Sequence, residues 1–494
     1  MMMIVFLTLF DCDSPAENSK LRGVDPYLHG YPLSKLRNIK TYEHQPLLYL
    51  KMYWISLIIL SKIIYFQDQV IVTEAKKGFG PGEQDWGHFE VRPGAYMFWW
   101  LYYVNPPVKS PDFDVFDKPL LIWLQGGPGV ASTGYGNFIE FGPLDINLQK
   151  RNYTWVNDYN VLFIDSPVGT GFSYVENDSL YVNDNQEIVN DLMGCIGKFF
   201  DRVPRFRNVS SYILGESYGG KVVVEFAHIW YKAQEKGTII SKLQGIGLGS
   251  PWISPIDSIY HSAEYLLNMG MIDTIDYIDV QKSTKELQKL INSEEWIQAF
   301  NIFLTNCADR YLYRISDFNN ILIEKKFVSS HIYTSGYRKF SNYTNDFEDL
   351  NKSLQSSINN TVKKALNLTD YEWTISSDPV YEHLIADFLK PVTNTVEKLL
   401  NETSLKVYVF NGQLDPIIPT AGTLAWMEKL KWRHAELWRS TKRDALVVDN
   451  ILEGFVKGYG TLRLYWISRA GHMAPLDNPF AMKAILQDIT TENF

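Results

Sequence analysis

Three stretches far apart in the chain carry the residue types that nucleophilic hydrolysis requires. The first is Ile213-Leu-Gly215-Glu216-Ser217-Tyr218-Gly219-Gly220-Lys221, a G-x-S-x-G pattern between an apolar run and a helix-like run. Glycines around the serine permit the sharp strand-to-helix turn that lifts its hydroxyl above a sheet edge, and the helix N-terminus favours negative charge there. A plain tight turn before a helix would fit the same pattern, so its partners decide. An acid and a histidine should follow, in that order, for this kind of fold. Asn411-Gly-Gln-Leu-Asp415-Pro416 and Ala470-Gly471-His472-Met473-Ala474-Pro475 each follow a strand-like run. Asp415 and His472 are thereby expected at carboxyl ends of strands, on the same edge as Ser217. Of the nine histidines only His472 has such a place, and His228 reads as a helix-face residue. Leu121-Ile-Trp123-Leu-Gln125-Gly126-Gly127-Pro128-Gly129 also ends a strand-like run. Its bend can bring the Gly127 N–H to a developing oxyanion, beside that of Tyr218, or it is an ordinary β-turn. It has neither the lysine of a phosphate-binding loop nor the glycine spacing of a dinucleotide fingerprint. No cofactor and no metal are expected.

The elements that must hold these residues are legible as apolar runs of buried-strand length at 119–124, 160–164, 211–214 and 243–248, with two more at 405–410 and 462–467. Helix-like stretches at 188–200 and 218–234 alternate with them. Strand and helix in alternation imply an α/β chain with a doubly wound, mostly parallel sheet and right-handed crossovers. An aromatic stretch at 89–104 reads as two strands about a Pro93-Gly94 turn. From 254 to 400 the alternation stops and polar, helical character takes over, the pattern of an inserted cap. Residues 1–85 do not read as part of the fold, which is expected over 86–494.

Hydrophobic residues make up 46% of the 494 and charged residues 21%, enough for a large core and unlike a disordered chain or a coiled coil. A net charge of −9 has the wrong sign for neutralising phosphates, so nucleic acid is not an expected partner. The three cysteines, Cys12, Cys195 and Cys307, make no CxxC pair; Cys195 and Cys307 remain free to pair or not. Glycosylation acceptors of the form Asn-x-Ser/Thr stand at Asn152, Asn177, Asn208, Asn342, Asn351, Asn359, Asn367 and Asn401, and favour a secretory-route protein over unmodified loop polarity. Near the N-terminus, Lys51 and Lys62 interrupt the apolar residues, so a stable transmembrane helix is not expected. Residues 53–60 have the length of a signal-peptide core, which places the start of translation at Met52; a membrane anchor is the alternative.

These residues together resemble the serine carboxypeptidase family, and within it the retinoid-inducible branch. The resemblance rests on Met97-Phe-Trp-Trp-Leu-Tyr-Tyr103, Trp123 to Gly129, Gly136-Asn-Phe138, Gly142-Pro-Leu144, Asp165-Ser-Pro-Val-Gly-Thr-Gly-Phe-Ser-Tyr174 and Trp252-Ile-Ser-Pro255, besides the stretches around 217, 415 and 472. It spans residues 86–494 and implies an α/β-hydrolase fold that removes C-terminal residues from peptides and proteins through an acyl-enzyme. On that resemblance Ser217 is the nucleophile, His472 the general base and then acid, and Asp415 the group that orients it; Gly127 and Tyr218 supply the oxyanion hole. Trp123, Gln125, Glu140 and Glu216 would hold the substrate's terminal carboxylate, and Met473 would line the pocket of the leaving residue. Two departures stand out. Gln125 replaces the family's asparagine, and the spacing from Gln125 to Glu140 is one residue longer. Few cysteines remain for the family's usual disulfides. Two adjacent glutamates should share a proton, favouring mildly acidic pH for free-acid peptides. His472 must then be depressed in pKa, or activity in acid is limited. The location implied is secreted or lysosomal. An esterase or acyltransferase on the same triad, and a non-catalytic scaffold, are the competing readings.

Overall fold

The computed structural model describes residues 77–313 and 351–491. The expected start at Met52, the apolar segment 53–60, Cys12 and the acceptor Asn342 lie outside the described residues.

Eleven strands form one sheet: β1 Gln84–Arg92, β2 Ala95–Tyr102, β3 Leu120–Leu124, β4 Asn160–Ile164, β5 Tyr174–Val175, β6 Ser210–Glu216, β7 Lys242–Gly249, β8 Lys406–Gly412, β9 Asp444–Val448, β10 Ile451–Tyr459 and β11 Leu462–Ile467. Their order is β1-β2-β4-β3-β6-β7-β8-β11-β10-β9, with β5 beside β2. From β4 to β11 the neighbours run parallel. Antiparallel pairs flank them at both ends. The buried-strand expectations hold to within two residues, whereas the first of the two aromatic strands expected over 89–104 opens five residues earlier, at Gln84, ahead of the expected boundary at 86.

Why these runs become central strands is visible in their burial. Every residue of β3, Leu-Leu-Ile-Trp-Leu, is buried, because helices cover both faces. Side chains alternate: Leu120, Ile122 and Leu124 enter one core, Leu121 and Trp123 the other. Helix α1, Asn185–Arg202, lays Ile188, Leu192, Ile196 and Phe199 on the first core, and α2, Tyr218–Glu235, adds Val222, Val223, Phe226 and Trp230. The C-terminal helix Pro479–Thr490 closes the second core with Met482, Ile485, Leu486 and Ile489. Each such aliphatic side chain contributes about 1.5–3 kcal/mol on full burial.

Between Gly249 and Lys406 the described residues are largely helical, including α3 Pro255–Asn268 and α4 Thr274–Asn292, and they meet the extended framework through isolated bridges such as Val130 to Ser376 and side-chain contacts such as Trp86 Nε1–H to Leu366 O at 2.9 Å. β9 and β10 were not expected. They are half-exposed, β9 at the edge and β10 between it and β11, with Val447, Ile451 and Leu452 facing outward, so they lack the continuous apolar run that marks the others.

Candidate active site

β6 passes into α2 through a single residue, Ser217, whose backbone stands at φ 58° and ψ −124°. That region costs a non-glycine residue about 1–3 kcal/mol. Three backbone hydrogen bonds hold it there: Ser217 N–H to Gly249 O (2.9 Å), Gly220 N–H to Ser217 O (3.0 Å) and Trp252 N–H to Ser217 O (2.9 Å). The loop after β3 presses directly on this elbow. A Cβ added to Gly126 would lie 2.8 Å from Ser217 Cβ and 3.0 Å from the Tyr218 nitrogen, so only glycine allows the approach.

Ser217, Gly127, Tyr218, Gln125, Glu216, His472 and Met473 all line one cavity of about 340 Å³. The imidazole arrives from the loop after β11. Its Nδ1 lies 2.9 Å from Asp415 Oδ2, while Asp415 Oδ1 accepts from the Ile417 and Ile418 N–H groups at 2.9 and 3.0 Å. An Nδ1–H given to Asp415 leaves Nε2 as the acceptor. No hydrogen bond yet joins Ser217 Oγ to His472; catalytic contacts of this kind commonly tighten with substrate in place. Burial pushes His472 towards its neutral form, but the charge and hydrogen bond of Asp415 outweigh it, with Glu140 and Asp477 adding to the pull, and its pKa ends above the ordinary 6.5. The His472 pKa is thus raised rather than depressed, so of the two alternatives limited activity in acid is the expected one.

The Asp415 and His472 loops meet at Gly412, the last residue of β8. A Cβ there would lie 2.0 Å from Gly471 O and 2.4 Å from Ala470 O. Gly412→Ala is expected to lower stability by about 1–3 kcal/mol through backbone displacement, read as a fall in Tm, with kcat falling alongside because the displaced loops carry Asp415 and His472. An unchanged Tm and kcat would mean that the two loops do not need this contact.

A chain of hydrogen bonds runs from the second core to Glu216, the residue before Ser217. Trp123 Nε1–H donates to Gln125 Oε1 (2.7 Å), and Gln125 Nε2 donates to Glu216 Oε1 (3.0 Å). The longer side chain at 125 thus still bridges the indole and the glutamate. Glu140 comes from a seven-residue π-helical turn, Tyr135–Phe141, and is buried beside them. Both of its carboxyl oxygens, and Glu216 Oε2, are buried without a hydrogen-bond partner. Burial drives both carboxyl pKa values up, and in Glu216 the charges of Glu140 and Asp415 drive it further. Protonation is the inexpensive state for such a pair.

Sequence reasoning missed two residues here. Tyr135 lines the cavity but had no motif to flag it. Asp477 accepts the Gly471 N–H at 2.7 Å and so steadies the histidine loop; as the last residue of the short helix Ala474–Asp477 it carried no motif to mark it. Elsewhere, Asn152, Asn177, Asn208, Asn367 and Asn401 are exposed, whereas Asn351 and Asn359 are half-buried. The Asn359 amide is spent on the Trp373 backbone, donating at 2.8 Å and accepting at 3.1 Å. Cys195 and Cys307 are separate buried thiols and do not pair. No helix among the described residues is long and apolar enough to cross a membrane.

A mostly parallel sheet between helices, with a strained serine at a strand-to-helix elbow, defines an α/β hydrolase. A carboxypeptidase structure shares this fold: a prohormone-processing enzyme of Saccharomyces cerevisiae aligns with TM-score 0.66 at 21% identity, over 83% of this chain and 91% of its own. The chain belongs to the serine carboxypeptidase family, whose profile matches residues 76–492, and is a serine-type carboxypeptidase. It is similar to the retinoid-inducible serine carboxypeptidase of Homo sapiens, 37% identical over 412 residues covering 80% of this chain and 89% of that one. The serine carboxypeptidase-like 51 of Arabidopsis thaliana is 34% identical, covering 83% of this chain and 92% of the relative.

Proposed function

We propose that Ser217, His472 and Asp415 form the catalytic triad of an exopeptidase that releases the C-terminal residue of a peptide. His472 Nε2 takes the Ser217 proton as Oγ attacks the scissile carbonyl, and Asp415 stabilises the imidazolium that results. The Gly127 and Tyr218 N–H groups receive the oxyanion. His472 then protonates the leaving amine and activates water against the acyl-enzyme. Trp123, Gln125, Glu140 and Glu216 hold the terminal carboxylate, and Met473 flanks the leaving residue. One observation carries this reading over esterase or acyltransferase work: Glu216 directly precedes Ser217, lines the same cavity and lies beside a second buried glutamate, Glu140. A protonated carboxyl pair beside the nucleophile is suited to hydrogen-bond a substrate carboxylate and useless to a blocked ester.

The inserted segment 254–400 serves as a cap, since its Phe303, Tyr381 and Phe388 supply cavity wall. The exposed acceptor asparagines support a glycosylated protein of the secretory route, secreted or lysosomal. The test is labelling with an organophosphonate, beside hydrolysis of a free-acid peptide and its C-terminal amide. Ser217→Ala is expected to lose label and turnover together, and the free acid to be the better substrate. A folded wild type that takes no label returns the chain to a binding role; equal turnover of free and blocked substrates returns it to esterase-like chemistry.

A further inference from the structure

A second charged cluster is sealed into the first turn of α2. Lys221 is 1% exposed, and its Nζ lies 2.6 Å from Asp387 Oδ2 and 2.5 Å from Asp387 O. The same Oδ2 accepts the Tyr218 hydroxyl at 2.8 Å, and Lys221 Nζ sits 5.0 Å above the Tyr218 ring. Asp387 is itself buried and has a further cation, Lys390, at 3.6 Å from Oδ1. It comes from the short helix Ile385–Phe388, in the inserted segment.

The neighbour of Asp387 is what gives this cluster reach. Phe388 lines the cavity, stacks on Tyr218 with ring centroids 6.1 Å apart and lies 5.3 Å from the Trp252 ring. The Trp252 indole N–H donates to Phe388 O at 2.9 Å, and the Trp252 backbone N–H holds Ser217 O. Gln125 and Glu216 stand at the carboxylate-binding end and Met473 beside the leaving residue, while Trp252, Phe303, Tyr381 and Phe388 supply aromatic wall suited to the acyl-side residue.

A buried ion pair is a poor source of net stability, because desolvating both charges offsets most of their attraction. It does impose one geometry. Two charges and a phenol converging on one carboxylate fix direction in a way that apolar packing does not. We propose that Lys221 and Asp387 are positioning residues whose ion pair ties the aromatic wall of the cavity to the oxyanion end of α2. The fit of the acyl-side residue against Phe388 and the alignment of the Tyr218 N–H are then set by one contact, although neither charge touches substrate. This rests on the catalytic reading above.

Two variants test it: Asp387→Asn, and the double variant Lys221→Met/Asp387→Leu, which leaves no charge orphaned. Both are compared with wild type on peptides carrying Phe or Ala before the scissile bond, with Tm measured alongside. In Asp387→Asn, kcat on the Phe peptide is expected to fall about tenfold with KM changed less than about threefold, since misplacement of an ångström or less suffices for such losses. The preference for Phe over Ala is expected to shrink with it. The double variant should fold, with Tm lowered only by the Tyr218 hydroxyl that loses its acceptor, and show the same two losses. A folded double variant with wild-type kcat and preference overturns the inference, as does failure of both variants to fold, which assigns the pair to stability alone. A wild type that neither labels nor turns over overturns the proposed function, and this inference with it.

Discussion

Replacing Asp415 with asparagine is expected to lower kcat about 10⁴-fold while leaving the fold in place. The carboxylate has two tasks, one for each oxygen. Oδ1 accepts two backbone N–H groups, from Ile417 and Ile418, and an amide oxygen can do the same. Oδ2 faces His472 Nδ1 at 2.9 Å, and there an amide can only donate. The imidazole must then carry its proton on Nε2, where the base is needed. The backbone contacts keep the loop in position, so stability should change little while the tautomer is wrong for catalysis. The charge that lifts the His472 pKa disappears as well, so the residual activity should set in at lower pH than in wild type. Steady-state kinetics across pH, with Tm as control, reads both effects. A loss smaller than about tenfold in a folded variant would remove Asp415 from the role assigned to it.

The second large effect concerns pH and the form of the substrate. His472 acts as base only when neutral, and its raised pKa means that activity grows as pH climbs through that value. Glu140 and Glu216 have raised pKa values too, so each is protonated in mild acid and ionises later than an ordinary carboxyl. Each proton lost removes a donor from the substrate carboxylate and places a like charge near it. At about 4 Å and an effective dielectric near 20, such a repulsion is worth about 4 kcal/mol. For free-acid peptides, kcat/KM should therefore rise and then fall by more than about tenfold, whereas amides and esters of the same peptides show the rising limb alone. Glu140→Gln/Glu216→Gln should flatten the falling limb, because its amides donate at every pH. Superimposable profiles for free and blocked substrates in wild type would end the two-glutamate account.

Much of this was legible because the decisive residues sit where local pattern is strongest. β3, β4 and β6 are continuous apolar runs, and the glycines about Ser217 announce an elbow before any tertiary contact is known. Asp415 and His472 were found by the same rule, each just past such a run. Glu140 was reachable only through a family motif and counting, since nothing in a π-helical turn shows in periodicity. Lys221 and Asp387 are 166 positions apart, and a lysine one turn into a helix reads as a solvated face until the inserted segment closes over it. β9 and β10 escaped for the opposite reason: at an open edge one side of the strand is left to solvent, and the alternation that results is shared with loops.

The two sealed thiols have a practical consequence. Cys195 and Cys307 form no crosslink, so among the described residues no covalent tie is cut by a reductant. The described part of the chain then owes its persistence to its two cores. Neither sulfur meets a reagent until helix α1 or the segment around Cys307 opens, which makes alkylation in graded denaturant a reporter of where the core they share first loosens.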